Sequence, residues 1–469
     1  MKKNIFTELI VIICLFFCNC STKKQIINNS CQWNIGTPDS ANVIAILKQN
    51  DLIIKGKGNM KNNYSSFVTG KSNGWVNEII NVKKVTIKRG VTNIGREIFS
   101  ECDSLTSVFI PNSVKQIGGF TFSRCSNLIS LKIPNSVTKI DEYAFAECKN
   151  LKTINIPRNL TKIENYSYAL TGISRITVPS KVTVIGKYAF MGCNNLNSVI
   201  IPQNVIEIEE GAFGGCNSLT DIQLSNGLQS IGKEAFAKCN NLQKVSIPKS
   251  VVNIDFSAFY YCDKFTTINV DTANAKFISV EGILYNKAKD TLLIVPSGRR
   301  GVFVIPDHVI NIGKSAFEGC SELTDIVIPS SIASIGSSAF FKCGSLKEIV
   351  IPNTVDNIED YTFWYCTSLQ SVVLSPHTIK IGFGAFLNCY NLTSIVIPEK
   401  VTSIGFVAFR DCQRLVSISN LSEIPQDIAE NVFEKLNLSK IKLYVPANSI
   451  STYQNAKVWK DFGEILPLE

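Results

Sequence analysis

The stretch Cys125–Ser136, CSNLISLKIPNS, continues as VTKIDEYAF to Phe145, and Cys148 then begins the same phrase again. The phrase reads C-x-x-L-x-x-L-x-I-P-x-x-V-x-x-I-x-x-x-A-F, and it recurs along most of the chain. Most copies begin 23 residues apart. A fixed period of this length is typical of a solenoid, in which each repeat packs only against its neighbours.

Sixteen coils can be aligned on their leading apolar residue, from Val82 to Leu438. Each coil begins with a stretch of alternating apolar and polar residues, as in Leu105–Pro111, LTSVFIP. A period of two indicates a strand with one buried face, and a proline is tolerated at the exit of such a strand. Val114 and Ile117 then predict a second, shorter extended run.

Apolar residues spaced three apart follow in the second half of each coil, for example Phe122, Cys125 and Leu128. This spacing predicts a single helical or 3-10 turn on the side opposite the strand. We therefore expect an α/β solenoid in which the strands form one long parallel sheet and the short turns lie on the opposite face.

The repeat phrase resembles the BspA-like bacterial leucine-rich repeats over residues 82–438, for example in Leu323–Cys343, LTDIVIPSSIASIGSSAFFKC. The C-terminal run Leu443–Pro446 and the aromatic residues after it are also similar to that family. The resemblance implies a leucine-rich-repeat right-handed superhelix. It also implies a secreted or surface-exposed protein, because members are commonly found there and some are implicated in attachment to host proteins and in co-aggregation.

The N-terminus combines Lys2 and Lys3 with the apolar run Leu9–Phe17, which is too short to span a bilayer. The following Cys18-Asn19-Cys20 resembles a bacterial lipoprotein signal, in which cleavage leaves a lipid-modified cysteine. Cys20 is a better candidate for the modified residue than Cys18, because the residue before it, Asn19, is smaller than Phe17, the residue before Cys18. A plain secretory signal is the alternative.

Five segments follow from these patterns. Residues 1–19 form a lipoprotein signal peptide, 20–30 a tether, 31–81 an N-terminal β-rich cap, 82–446 the repeat solenoid, and 447–469 a C-terminal helical cap. A solenoid must cover its terminal edges, and atypical end units do so. An independent binding module is the alternative for the N-terminal segment.

Two hairpins and one helix are predicted outside the regular phrase. Val43–Leu47 and Asp51–Lys55 flank the turn Lys48–Asn50, and a hairpin insertion near 277–299 contains Ile283–Tyr285 and Thr291–Val295. The insertion either widens its coil or serves in recognition. In the C-terminal cap, a helix is expected from the N-cap Ser449 to Gly463, with its inner side formed by Ile450, Tyr453, Trp459 and Phe462.

Twelve of the sixteen cysteines occupy one position of the repeat. There is no C-x-x-C pair, and the two histidines, His308 and His377, are far apart in the sequence. These residues therefore predict neither a zinc site nor a disulfide framework. We expect the column to consist of buried thiols that pack as small hydrophobic groups.

No catalytic constellation is visible. Neither histidine lies in a G-x-S-x-G or H-E-x-x-H setting, and phosphate-binding loops are absent from the sequence. The formal net charge of +9 is spread among both signs, with no block of five or six basic residues. We therefore predict a protein that is not an enzyme, has no cofactor or metal, and does not bind nucleic acid.

The exposed strand positions of the later coils are the candidate binding residues. They form two columns. One column consists of valines, Val327, Val350, Val373 and Val396, and the other contains acidic and hydroxyl residues, Asp325, Glu348, Ser371 and Ser394. An apolar stripe with a charged edge is typical of a protein-binding surface, and exposed strands also favour valine without any function. Earlier coils are more polar and basic, with Lys132, Thr153, Asn155, Arg175, Thr177, Lys244 and Ser246.

Two functions remain open from the sequence. The first is a lipid-anchored protein of the outer membrane or cell surface that adheres to host or neighbouring-cell proteins through its strand face. The second is a glycan-binding or envelope-scaffold lipoprotein retained in the periplasm, with a secreted form also possible. The tract after Cys20, Ser-Thr-Lys-Lys, lacks the acidic run that often marks surface display, which favours the second function.

Overall fold

The computed structural model describes residues 25–27, 30–63 and 78–468. Within these ranges the chain is a β-solenoid with little helix, since short parallel strands predominate and the one α-helix, Ile450–Asn455, has six residues. The chain divides into two compact units, Met1–Leu219 and Thr220–Glu469. The predicted signal peptide and Cys20 lie outside the described residues. No helix of the described ranges is long and apolar enough to cross a membrane.

Each coil of the first unit contributes two strands, which pair in parallel with the equivalent strands of the next coil. The first strand of each coil is Lys84–Ile87, Ser107–Phe109, Ser130–Leu131, Thr153–Ile154, Arg175–Thr177 or Ser198–Ile200. The second is Val91–Ile94, Gln116–Ile117, Lys139–Ile140, Lys162–Ile163, Val184–Ile185 or Glu207–Ile208. Both predicted extended runs are thus confirmed.

The N-terminal segment continues both ladders of the first unit. Asp51–Gly56 pairs in parallel with the strand at 84–87, and Val43–Lys48 forms the predicted antiparallel hairpin with it. Ser30–Asn34 and Gln25–Ile27 add two antiparallel strands outside that hairpin. In the second ladder, Gly58–Met60 pairs in parallel with the strand at 91–94. On its other side, Gly58–Met60 pairs antiparallel with Gly36–Thr37. A 3-10 turn covers Ser40–Asn42. Antiparallel strands therefore cover the first edge of both ladders.

The second unit repeats the arrangement. Its first strands are Asp221–Gln223, Lys244–Ile247, Thr267–Val270, Gly301–Val304, Leu323–Val327, Glu348–Val350, Ser371–Val373, Ser394–Ile397, Ser417–Asn420 and Lys442–Val445. Its second strands are Ser230–Ile231, Asn253–Ile254, Asn311–Ile312, Ser334–Ile335, Asn357–Ile358, Lys380–Ile381 and Ser403–Ile404. The parallel pairing agrees with the prediction, but the strands form several short sheets instead of one long sheet. The right-handed sense of the superhelix stays a prediction.

The insertion is larger than the predicted hairpin. Ile283–Asn286 and Thr291–Ile294 pair antiparallel as expected, and Phe277–Val280 adds a third antiparallel strand. The strand Thr291–Ile294 also pairs in parallel with Asn311–Ile312. It therefore replaces the missing second strand of its coil, and the Arg299 side chain fixes the return of the chain by donating to the Glu281 carbonyl.

The C-terminal segment contains less helix and more strand than the sequence predicts. The helix ends at Asn455 instead of near Gly463, and Ser449 occupies its N-cap position without a side-chain capping bond. A 3-10 turn, Trp459–Asp461, precedes a final strand, Glu464–Pro467, which pairs in parallel with Lys442–Val445. Further 3-10 turns are Leu438–Lys440 and Ala447–Ser449. The predicted inner residues Tyr453, Trp459 and Phe462 are buried, whereas Ile450 is half-buried.

The predicted helical turns are instead successive tight turns. The Cys125 amide donates to the Phe122 carbonyl at 3.2 Å, while the Phe122 amide donates to Ala144 of the next coil at 2.8 Å. Phe120 and Arg124 have positive φ angles of 56° and 61°. A non-glycine residue in this region costs about 1–3 kcal/mol, and here the bonds to the neighbouring coil offset that cost. The side of the coil opposite the strands is called the turn side below.

The core consists of columns of identical side chains. The rings of Phe99, Phe122 and Phe145 stack with centroid separations of 5.4 and 5.6 Å. Gly118 is required where two coils approach closely, because a Cβ there would lie 2.6 Å from the Arg96 amide nitrogen. Each coil therefore has a fixed place in the stack, and the outward strand positions of successive coils fall into columns.

Candidate binding surface

The exposed side of the first strands of each unit is called its strand face below. Side chains alternate along each strand, so Ile349 is buried whereas Glu348 and Val350 on either side of it are exposed. The register joins equivalent positions of neighbouring coils, with Val350 opposite Val373 and Glu348 opposite Ser371. The strand face of the second unit therefore consists of the columns that the sequence predicts.

All four predicted valines are exposed, with relative exposures of 46% for Val327, 61% for Val350, 57% for Val373 and 48% for Val396. In the neighbouring column, Asp325, Glu348 and Ser394 are exposed and Ser371 is half-buried. The structure thus places all eight predicted strand residues on the strand face. That these residues bind a partner stays a prediction.

The sequence analysis missed one member of this column. Val304 pairs with Val327 in the parallel ladder and is 64% exposed. Beside it, Val302 is 62% exposed and pairs with Asp325. Aligning the coil that begins at Arg300 would have revealed both residues. The column Val304, Val327, Val350, Val373 and Val396 is called the valine column below.

The valine column ends at a hydroxyl residue, since Val396 pairs with Ser419 of the next coil. Along its side, the carboxylates of Asp325 and Glu348 have no cation within ion-pair distance among the described residues. The second unit therefore presents a bounded apolar stripe next to two unneutralised negative charges.

The strand face of the first unit has a different chemistry. Lys132, Lys152 and Arg175 occupy exposed positions on three successive coils. They line an open depression of about 470 Å³ together with Ser130, Thr153, Asn155 and Ser174. The Asn155 side chain is held by its amide, which donates to the Ile133 carbonyl at 2.8 Å, and by its oxygen, which accepts from the Ile133 amide at 2.8 Å.

The histidines take no part in either strand face. His308 and His377 lie in exposed turns, and the Nζ of Lys400 lies 3.1 Å from Nδ1 of His377. Within the described part of the chain, no three His, Cys, Asp or Glu side chains converge as a possible metal site. The geometry therefore directs attention to binding surfaces.

The cysteine column is buried, and no disulfide joins its members. Each thiol donates to a carbonyl of the preceding coil, for example Cys148 to Phe122 at 2.9 Å and Cys343 to Phe317 at 3.3 Å. Burial raises the pKa of the Cys148 thiol to about 12 and that of Cys193 to about 11. The expectation of buried thiols is confirmed: burial keeps them protonated, and the hydrogen bonds that they donate are an addition.

The turn side holds a further feature that the sequence analysis did not find. In the first unit the rings of Phe120, Tyr143 and Tyr166 stack with centroids 4.5 Å apart, and the Arg96 guanidinium lies 4.7 Å from the Phe120 ring centre. These rings occupy one repeat position, so aligning that position would have found them. Their stacking stabilises neighbouring turns, as a second aromatic column outside the core.

Together, the fold and the two strand faces define a leucine-rich-repeat scaffold that presents side-chain columns on a parallel sheet. The BspA type leucine rich repeat region matches residues 73–197, 183–281, 301–416 and 379–457. The chain belongs to this family. No curated protein matches the sequence.

Two solved structures are similar in fold. The pneumococcal vaccine antigen PcpA is 20% identical, with a TM-score of 0.56, covering 96% of this chain and 100% of that one. A leucine-rich repeat protein from Bacteroides ovatus is 22% identical, with a TM-score of 0.50, covering 95% of this chain and 100% of that one. At these identities the likeness concerns the fold alone.

Proposed function

We propose that the chain is a non-enzymatic cell-envelope protein that binds another protein through the valine column of its second unit. The observation that carries the proposal is the alignment of five exposed valines on five consecutive coils. At about 4.8 Å between strands, the column extends for roughly 19 Å. An exposed apolar stripe of this kind, next to polar residues, is typical of a protein-interaction site.

The neighbouring charges would orient a partner that binds to the valine column. Asp325 and Glu348 lie along one side of the valine column without an ion-pair partner among the described residues. Exposed charges beside an apolar contact contribute mainly to the rate and specificity of association. A partner with an apolar ridge and a basic flank fits this surface, and the strands keep the ordering cost of binding low.

The biological role we propose is adhesion to host or neighbouring-cell proteins, with the chain anchored by lipid at Cys20 in the outer membrane or on the cell surface. The resemblance of residues 9–20 to a lipoprotein signal and the family membership support this role. Retention in the periplasm is the alternative. Cys20→Ser should release the protein into the soluble fraction, and protease added to intact cells should degrade the native protein only if it is displayed outside.

The binding surface is tested by Val350→Lys combined with Val373→Lys. Purified native protein is first screened against an array of purified extracellular-matrix and bacterial surface proteins, and the strongest specific ligand is retained. The double variant should keep its melting temperature, because neither side chain enters the core. It should bind that ligand at least about tenfold more weakly, because two desolvated charges would enter the interface.

The matched control is Thr177→Lys combined with Ile200→Lys. These two positions pair in the equivalent column of the first unit, and Ile200 is 61% exposed. The control variant should bind the protein ligand with native affinity. Equal loss in both variants would indicate a general charge effect. Unchanged binding by the Val350/Val373 variant would contradict the proposal and direct attention to the insertion at 277–299.

A further inference from the structure

The strand face of the first unit has no carboxylate. Its six strand segments, residues 82–90, 105–113, 128–136, 151–159, 173–181 and 196–204, contain no Asp or Glu. They contain nine cationic residues: Lys83, Lys84, Lys88, Arg89, Lys132, Lys152, Arg158, Arg175 and Lys181. The nearest acidic strand residue is Asp51 of the N-terminal segment, which pairs with Lys84 in the ladder. Charge of one sign is therefore concentrated on this face.

The second strands and turns of the same unit show the opposite arrangement. Arg124 contacts Glu101 and Glu147 at 2.8 and 3.1 Å, and Lys139 contacts Asp141 at 2.9 Å. The nine cations of the strand face, by contrast, have no carboxylate within ion-pair distance among the described residues. Several cations of the second strands and turns are thus neutralised, whereas those of the first-strand segments are not.

Two depressions on this face are continuous. The one lined by Lys132, Lys152 and Arg175 shares Lys132 and Asn155 with a larger one of about 900 Å³. The larger depression is lined further by Lys88 and Arg89, and by Phe109, Asn112, Ser113 and Asn135. Cationic groups therefore follow one another across coils, with hydroxyl and amide side chains between them.

We propose that the strand face of the first unit binds a linear anionic polysaccharide that carries sulfate or carboxylate groups. Lysine and arginine would hold the anionic groups, because charge-assisted hydrogen bonds to such oxygens are strong. The intervening Ser, Thr and Asn residues would bond the sugar hydroxyls, which both donate and accept. This site is separate from the valine column, and the proposal does not depend on the proposed protein ligand.

Other polyanions fit the surface less well. Single-stranded nucleic acid is usually held by aromatic side chains that stack on the bases, and the two depressions contain a single aromatic residue, Phe109. A membrane surface is usually bound by cations combined with an inserted apolar group. Hydroxyl and amide side chains, for example Ser130 and Thr153, separate the cations of the smaller depression. The exposed apolar residues Phe109 and Ile129 also lie in the first-strand segments of this unit. A hydroxyl-rich ligand matches this alternation best.

The test uses the full chain and a heparin oligosaccharide as the sulfated probe. The site variant combines Lys132→Asn, Lys152→Thr and Arg175→Ser, and each replacement is a residue type that other coils carry in the same column. Its affinity for heparin should fall at least about tenfold, and the slope of log K against log salt should shrink by about 2. The melting temperature should stay unchanged, because all three side chains are exposed.

The matched control combines Lys139→Gln, Lys162→Gln and Lys187→Ser, which removes the same charge from the second strands and turns of the same unit. This variant should bind heparin with native affinity. A charge-conserving variant, Lys132→Arg with Lys152→Arg, should also keep most of it. Equal losses in the site and control variants, or no binding of heparin to the native chain, would overturn the proposal.

The remaining arms separate the classes of ligand. Neutral dextran should not bind. Oligothymidylate of matched charge and phosphatidylglycerol vesicles should bind more weakly than heparin in the same buffer. Tighter binding of oligothymidylate that the site variant abolishes would assign the face to nucleic acid. Preference for the vesicles would assign it to a membrane, and either result overturns the polysaccharide proposal.

Discussion

The strand faces of the two units use the same columns for different chemistry. In the first unit, successive coils present Lys132, Asn155 and Thr177 at the position where the second unit presents valine. The adjacent column of the second unit carries Asp325 and Glu348, whereas the six first-strand segments of the first unit between residues 82 and 204 contain no carboxylate. In this solenoid, the surface chemistry can change from one group of coils to the next without any change in the repeat.

The cores explain why this is possible. The Phe340 and Phe363 rings of the second unit stack at 5.3 Å, close to the 5.6 Å between Phe122 and Phe145 in the first. The thiols donate to the preceding coil in both units. Since outward positions touch neither column, they can vary at little cost to the fold. The predictions below contrast this shared core with the differing faces.

The largest effect we expect is an alkaline loss of stability common to both units. Burial raises the pKa of the Cys102 and Cys148 thiols of the first unit from 9.0 to about 12, and it also raises the pKa of the Cys320 thiol in the second unit. Above pH 9 the unfolded chain releases these protons whereas the folded chain keeps them, so stability present below that pH falls as the pH rises toward 12. Each such thiol contributes about 1.4 kcal/mol per pH unit.

Urea unfolding at a series of pH values measures this loss, and hydrogen exchange resolves the two units. Both should weaken together between pH 9 and 12, over the range set by the Cys102 shift. Stability that stays constant over this range would show that the thiols are not held protonated in the core. Weakening confined to one unit would show that the two cores differ.

The second prediction concerns salt and separates the two faces. Raising the salt concentration from about 0.05 to about 0.5 M should weaken heparin binding by about a hundredfold, if three cations release counterions. Binding of the protein ligand to the valine column should change by less than about threefold, because burial of apolar surface does not depend on ion pairing. Titrations in both salts measure the two effects. Equal salt dependence for both ligands would contradict the division of chemistry.

The third prediction makes the first unit resemble the second. Thr153→Glu combined with Thr177→Glu introduces two carboxylates next to Lys132 and Arg175 on exposed strand positions. Heparin affinity should fall by up to about tenfold, because the two introduced carboxylates would repel the anionic groups of heparin. The same titration with Asp325→Asn and Glu348→Gln in the second unit should show no change. A gain in heparin affinity there would indicate that the anionic ligand binds to the second unit.

Much of the fold follows from the sequence period. The alternation in each phrase predicts both strands of each coil, and the one-coil register places Val327, Val350 and Val373 in one exposed column. The hairpins at 43–55 and 283–295 are also predicted, because their turns interrupt the period clearly. The same repeat phrase predicts the family, and the family match covers most of the chain.

The turns could not be predicted in the same way. Spacing of three among Phe122, Cys125 and Leu128 fits a helical turn as well as successive tight turns. The choice depends on amide bonds to the next coil and on positive φ angles at residues such as Arg124, for which side-chain identity gives no signal. The final strand at 464–467 likewise exists because the strand at 442–445 offers it an edge.

The most direct test of two distinct faces on one scaffold is lysine acylation of the native full chain with and without heparin, measured by mass spectrometry. Lysines of the first strand face, Lys83, Lys84, Lys88, Lys132 and Lys152, should react more slowly when heparin is bound. Lysines 139, 162 and 187, which lie in the second strands and turns of that unit, and lysines 244 and 347 of the second unit should react as before. Protection spread evenly over the chain, or centred on the second unit, would contradict the account.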